Sequence, residues 1–294
     1  MECEIHNINV IESLENIRYN LTILHLQCYF IVNLDKIDSA LSQLFIKTKR
    51  IKILMLDNFK KLTGECFLFL NKDTIEEISL IENKNIERNY LAKSLLCFEK
   101  LHKLELIKVS CNSFEDVAEY VGLCTNLKEL NISAITKSNS NWFVKYSDEN
   151  LIREIPSKNL EKLTNAYLKQ DTIKPSFFSY INSNLHKINL TGCSWITDYE
   201  LASFSSLTNL KILEICGCEN LSGWILVKFP SLKELNCRKC NKLENNHLIN
   251  FLRCANNLEL LDIIGCFQIT NSVINIAIEV TKIRRKSFTR NSHF

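Results

Sequence analysis

Apolar and polar residues alternate in short bursts along this chain, and the bursts recur at a regular interval. The phrase L-x-x-L-x-L, with Ile or Cys replacing Leu in places, begins at Leu21, Ile51, Ile75, Leu101, Leu127, Leu160, Leu185, Leu210, Leu232 and Leu258. Successive starts lie 30, 24, 26, 26, 33, 25, 25, 22 and 26 residues apart. A recurring period of this size marks a stack of similar units. The clearest copies begin at Leu185, Leu210, Leu232 and Leu258, for example Leu210-Lys-Ile-Leu213-Glu-Ile215.

With the first apolar residue counted as offset 0, offsets 3 and 5 are apolar and are separated by mostly polar residues. This period of two predicts a short strand. A lone strand cannot bury its apolar face, but parallel stacking of many copies makes one continuous core. Helical spacing follows some strands. Phe114, Val117, Ala118 and Val121 fall at i, i+3, i+4 and i+7, as do Val273, Ile276, Ala277 and Val280. Thr197-Asp-Tyr-Glu200 reads as a capping box and predicts a helix from near Asp198. The predicted fold is therefore α/β: a leucine-rich-repeat solenoid, horseshoe-shaped, of about ten repeats. Its parallel strands line the concave face and a helix follows each strand on the convex face. The expected layout is a cap segment over residues 1–20, one repeat domain over 21–283, and a basic, polar tail over 284–294.

Four late repeats place Cys at offset 8: Cys193, Cys218, Cys240 and Cys266. Gly192, Gly217 and Gly265 precede three of them. The stretch Leu185-His-Lys-Ile-Asn-Leu-Thr-Gly-Cys-Ser-Trp-Ile-Thr-Asp198 resembles the cysteine-containing class of leucine-rich repeats. That class occurs in F-box substrate receptors and in the antagonist-of-mitotic-exit family. The resemblance is specific over residues 185–280 and weaker over 21–184, where Tyr29, Phe59, Asn83, Val109, Ile135 and Leu168 hold the Cys position. It implies structural cysteines, and a role in which the solenoid holds a substrate while a Skp-type adaptor joins it to a cullin-containing ubiquitin ligase. Residues 1–20 lack the Leu-Pro start and the Trp of an F-box, so the expectation is either a chain separated from its F-box or one that acts without it.

The chain has 13 Cys, 6 Gly and 3 Pro in 294 residues, and a net charge of +3. The odd Cys count argues against a complete disulfide framework. The first 20 residues lack the basic and apolar regions of a secretory signal, and no run of about 18 apolar residues occurs. Cytoplasmic or nuclear residence is expected, with thiols reduced. The four Asn-x-Ser/Thr sequons, at Asn20, Asn131, Asn189 and Asn220, then read as accidents of an Asn-rich composition. Cys216, Cys218, Cys237 and Cys240 have zinc-like spacing. The repeat register instead makes Cys218 and Cys240 stacking residues and Cys237 a core position, with only Cys216 facing outward.

No phosphate loop, HExxH or GxSxG occurs, and the six His are scattered. The expectation is a chain that is not an enzyme and needs no cofactor or metal. Lys282, Arg284, Arg285 and Lys286 read as cations at a helix C-terminus. The long fifth repeat, with Trp142, Phe143 and Tyr146, reads as an extended convex connection. Offsets 2, 4 and 6 should point out of the concave face. They give the candidate partner-binding residues Met55, Asp57, Glu77, Ser79, Lys103, Glu105, Glu129, Asn131, Lys187, Asn189, Glu214, Glu234, Asn236, Arg238 and Asp262. This surface is mixed in charge. That favours a protein or peptide partner over nucleic acid.

Overall fold

A computed structural model describes residues 2–4, 21–28, 36–111, 124, 126–133, 136–137, 160–164 and 184–291. The helical periodicity at Phe114–Val121, the aromatics Trp142, Phe143 and Tyr146, and the offset-8 residues Tyr29, Ile135 and Leu168 lie outside the described residues. The chain divides into two compact units, Met1–Leu160 and Glu161–Phe294, where the sequence pattern predicts one repeat domain.

The first unit carries β1 (Glu2–Glu4), β2 (Ile23–Gln27), α1 (Ile37–Lys47), β3 (Ile53–Asp57), a 3-10 helix (Glu65–Phe69) and β4 (Glu77–Ile81). These are followed by α2 (Arg88–Leu95), β5 (Lys103–Ile107), β6 (Ser110–Cys111), β7 (Glu129–Ser133) and β8 (Thr136–Lys137). Strands β1, β2, β3, β4, β5 and β7 pair in that order, all parallel, and β6 pairs with β8 in a small separate sheet. The register puts like on like. Leu24, Leu54, Ile78, Leu104 and Leu130 form one row, and Leu26, Leu56, Leu80, Leu106 and Ile132 a second, all buried. These are offsets 3 and 5. β1 lies inside the expected cap segment and adds a strand that the repeat phrase does not mark.

The second unit carries β9 (Lys162–Thr164), β10 (Lys187–Asn189), α3 (Asp198–Ala202), β11 (Ile212–Glu214), a 3-10 helix (Trp224–Lys228) and β12 (Glu234–Asn236). It ends with α4 (Asn245–Cys254), β13 (Leu260–Asp262) and α5 (Asn271–Asn291). Its five strands are parallel and in chain order, with Leu163, Ile188, Leu213, Leu235 and Leu261 in one row. α3 starts where the capping box places it: Thr197 accepts from the Tyr199 N–H, and Glu200 accepts from the Thr197 N–H at 2.8 Å. α5 runs through Asn291, so the expected tail continues a helix.

A helix after every strand does not hold. The repeats starting at Ile51 and Leu210 carry 3-10 helices, and they have two of the shortest spacings, 24 and 22 residues. A 3-10 helix rises about 2.0 Å per residue against about 1.5 Å in an α-helix. Fewer residues can therefore return the chain over the same strand length.

Seven repeats leave their strands through one backbone conformation. Offset 7 is left-handed at Asn58, Glu82, Lys108, Gly192, Gly217, Lys239 and Gly265, with φ between 53° and 77°. Gly217 has ample room for a Cβ, so its glycine relieves conformation and not crowding. From this bend the offset-7 N–H donates to the offset-6 carbonyl of the following strand. Examples are Asn58 to Ile81 at 2.8 Å and Gly217 to Arg238 at 2.8 Å.

In four repeats offset 8 then ties the chain backward. The thiols of Cys218, Cys240 and Cys266 donate to the carbonyls of Leu190, Ile215 and Cys237, at 3.2, 3.0 and 2.9 Å. Each acceptor is offset 5 of the preceding repeat. Asn83 occupies the same offset in the first unit and makes the same bond, Nδ2 to the Leu56 carbonyl at 2.7 Å. Its Oδ1 also accepts from the Phe59 N–H at 2.9 Å. Burial pushes the Cys218 thiol up, and the Cys240 thiol to about 12. The Cys237 thiol is raised by its hydrogen bond with Cys266 and by burial.

A second clamp joins the helical sides. Asp198 accepts from the N–H and hydroxyl of Ser222 and from the N–H groups of Gly223 and Ile225, at 2.8, 3.0, 2.9 and 3.4 Å. Asp38 does the same for Thr63, Gly64 and Cys66. In both cases a helix-start carboxylate of one repeat satisfies the free amides that begin the next repeat's 3-10 helix.

Asp198 is buried, so Asp198→Ala leaves several buried amides unpaired. The expected loss is about 2–4 kcal/mol in urea denaturation. A loss no larger than that of an exposed polar-to-Ala change would show the clamp to be idle. Cys97 and Cys254 are exposed, whereas Cys193, Cys218 and Cys240 are buried. Alkylation of the native protein followed by peptide mass mapping should label the first two early and spare Cys193, Cys218 and Cys240 until denaturant is added. Early labelling of the last three would contradict the ladder.

Candidate functional site

The register that stacks offsets 3 and 5 in the core also stacks offsets 2, 4 and 6 on the opposite side of the strands. In the first unit the rows are Ile23, Ile53, Glu77, Lys103, Glu129; His25, Met55, Ser79, Glu105, Asn131; and Gln27, Asp57, Ile81, Ile107, Ser133. Met55, Asp57, Glu77, Lys103, Glu105, Glu129 and Asn131 are half-buried on this face, as their positions predict. Ser79 departs from expectation: it is 5% exposed. Its short side chain sits in register between Met55 and Glu105, which cover it. Ser79 therefore offers a partner little surface.

Charges on this face are arranged in opposite pairs. The Lys103 ammonium lies 4.0 Å from a Glu77 oxygen and 3.6 Å from a Glu105 oxygen, and His102 approaches Glu77 at 3.8 Å. Asp57 is the unfavourable member. Burial raises its pKa first, the Glu82 carboxylate raises it further, and His25 and Lys108 only partly oppose them. Glu82 itself is held low by its hydrogen-bonded ion pair with Lys108. Beside these polar groups run Ile53, Met55, Ile81 and Ile107, all half-exposed. The face thus offers apolar surface, both signs of charge and one carboxylate under strain.

The face of the second unit is built differently. Lys187 pairs with Glu214 at 2.8 Å, and Arg238 lies 3.7 Å from Asp262. Offset 4 is Asn or Asp in three repeats, and each side chain turns back onto its own backbone. Asn189 Oδ1 accepts from the Thr191 N–H at 2.9 Å, Asn236 Oδ1 from Arg238 at 3.4 Å, and Asp262 Oδ1 from Ile264 at 3.0 Å. These three predicted binding residues therefore also brace the strand exits. Glu234 and Arg238 are exposed, and Leu260 and Ile264 stand exposed on the last strand.

The Cys216 thiol faces this side, as its register predicts, and donates to Asn236 Oδ1 at 2.9 Å. Cys218, Cys237 and Cys240 are buried, with their thiols on backbone carbonyls. Among the described residues no group of three or more His, Cys, Asp or Glu could hold a metal ion, and no helix is long and apolar enough to cross a membrane.

The list of predicted residues misses the cross-strand pairs at offset 1. Lys52 meets Glu76 at 2.7 Å, and Lys233 meets Glu259 at 2.7 Å. Their hydrogen bonds lower the Glu76 pKa and raise that of Lys233. The signal was available, because opposite charges recur at one offset in consecutive repeats.

No protein-family profile and no curated protein sequence matches the chain. It is similar in structure to the Rad7 and Elc1 complex from yeast, with a TM-score of 0.55 and 16% identity over 92% of this chain and 73% of that one. It is also similar to the leucine-rich repeat-containing protein LegL7 from Legionella pneumophila, with a TM-score of 0.50 and 16% identity over 96% and 98% of the two chains. With the parallel strand ladders and the helices between the strands, this likeness establishes the fold as an α/β leucine-rich-repeat solenoid.

Proposed function

We propose that this chain is a protein-binding scaffold whose strand faces hold a polypeptide partner, and that it serves substrate recognition or regulation in ubiquitin-ligase-dependent degradation. The observation that carries the binding role is the first unit's face, where half-exposed Ile53, Ile81 and Ile107 lie beside the Glu77–Lys103–Glu105 cluster. Such a mixture suits a polypeptide, which presents both apolar and charged groups. The structural likeness to Rad7, solved together with Elc1, supports a chain that works by holding other proteins. The ligase role rests on the cysteine-repeat phrase and its resemblance to F-box substrate receptors. The catalytic alternative has no nucleophile–base pair to support it among the described residues of these faces.

Purification of the tagged chain from its native cells, with partner identification by mass spectrometry, tests both levels. A stoichiometric partner should be recovered with the natural chain and lost with Glu77→Lys combined with Glu105→Lys, at unchanged circular dichroism. Retention by the reversed variant would refute the strand-face assignment. Skp-type adaptor or cullin subunits among the partners would support the ligase role. Their consistent absence beside another protein would remove it and leave a stand-alone binding protein.

Asp57 offers a second check, because a binding face tolerates groups that the fold alone would not select. Its raised pKa means that the folded state prefers the protonated form. The associated stability is present below the unfolded value, near pH ~4, and is lost as pH rises through the folded value. Asp57→Asn should therefore be more stable than the natural protein at pH 7, and the gap should close toward pH 4. Urea denaturation at the two pH values measures it. A variant destabilised at pH 7 would reverse the reading.

A further inference from the structure

The first unit has a second surface, on the side of its helices, whose composition the fold does not require. α1, the 3-10 helix at Glu65–Phe69 and α2 pack side by side in chain order. At or just beyond their C-terminal ends stand Ile46, Leu68, Phe69 and Leu96, exposed by 47%, 45%, 44% and 60%. The first two of the turns that follow are tied together, with Asn71 Nδ2 donating to the Lys49 carbonyl at 2.7 Å, and the third is tied onward, with Asn126 Nδ2 donating to the Glu99 carbonyl at 2.6 Å. The four apolar side chains thus stand at the same end of three helices that pack side by side in consecutive repeats.

The second unit shows what the same positions need. Its 3-10 helix matches the first in its Gly cap and Asp clamp, and there Val227 and Lys228 stand where the first unit has Leu68 and Phe69. Five residues before a repeat start, where Ile46 and Leu96 lie, the second unit has Ser205 and Arg253, both exposed. Packing does not demand apolar residues here. Contiguous exposed apolar groups without a packing reason mark an interaction surface.

Charge says what kind. Lys49, Arg50, Lys72 and Lys100 on these turns are exposed and make no ion pair among the described residues, and Lys93 on α2 is exposed as well. The nearby acids on the same turns are Asp73 and Glu99. The edge is thus apolar with a basic surround. Helices packed at about 8–10 Å put its outer members roughly 20 Å apart, the length of about 13 helical residues.

We propose that this edge of the first unit docks an acidic amphipathic helix of a partner protein. Its apolar side would lie on Ile46, Phe69 and Leu96, and its carboxylates would face the lysine-rich turns. The site is separate from the strand face and does not rest on the role assigned there.

Selection of helical peptides from a displayed random library against the full chain tests it. The expected winners carry Leu or Phe at i, i+3 or i+4 and i+7, flanked by Asp and Glu. Phe69→Ser and Leu96→Ser should each weaken a winning peptide about tenfold, the scale of losing one buried apolar contact. Both sites are exposed, so the thermal midpoint should hold. Glu77→Lys with Glu105→Lys on the strand face should leave this binding intact, which separates the two sites. The proposal is overturned if no acidic amphipathic peptide is selected, or if the selected peptides bind both Ser variants as tightly as the natural chain. Sedimentation with phosphatidylserine vesicles, abolished by the same Ser variants and without peptide selection, would instead assign the edge to a membrane surface.

Discussion

Each strand in this protein leaves half of its backbone hydrogen bonds to be made by its neighbour. The N–H at offset 7 reaches the offset-6 carbonyl of the following strand, in seven repeats from a left-handed backbone and at Cys28 without one. Where the residue is Glu82, Lys108 or Lys239 and not Gly, the chain accepts a conformational cost of about 1–2 kcal/mol. It accepts that cost because a buried, unpaired N–H would cost a comparable amount or more. The parallel ladder, the leucine rows and the sidedness of the strand face all follow from this repeated exit.

The offset-8 residue and the helix-start carboxylates answer the same need from two other directions. A Cys thiol at offset 8 or the Asn83 amide reaches the offset-5 carbonyl of the preceding repeat. Asp38 and Asp198 reach forward to the amides of the next 3-10 helix. Thiol and amide look unlike each other as letters, but both place a donor at one spot. In the repeat that starts at Ile75 the tie is therefore kept without a cysteine, whereas Phe59 and Val109 fill the same offset as buried apolar residues.

The candidate binding surfaces lie where these demands end. On the strand face the offset-4 Asn and Asp residues of the second unit are partly committed to their own backbone. The Glu77–Lys103–Glu105 cluster and Asp57 of the first unit do not serve that purpose. On the helix side, Ile46, Phe69 and Leu96 exceed what packing needs, as Ser205, Lys228 and Arg253 show at equivalent positions. The two units share a scaffold and differ in what they leave available.

The period of the apolar phrase was enough to read the strands, their parallel stacking, the core rows and the helix start at Asp198, because each repeat meets only its neighbours and local pattern becomes global form. The same logic placed most of the candidate face, including Met55, Lys103 and Cys216. Other features required atoms to be brought together across repeats. Ser79 is covered because two longer side chains happen to flank it. Asn83 stands in for a cysteine because its amide points at the same carbonyl. The repeats at Ile51 and Leu210 carry 3-10 helices because their fewer residues must return the chain over the same strand length as their neighbours. The raised pKa of Asp57 depends on its burial and then on Glu82, 25 residues away along the chain and one strand away in space.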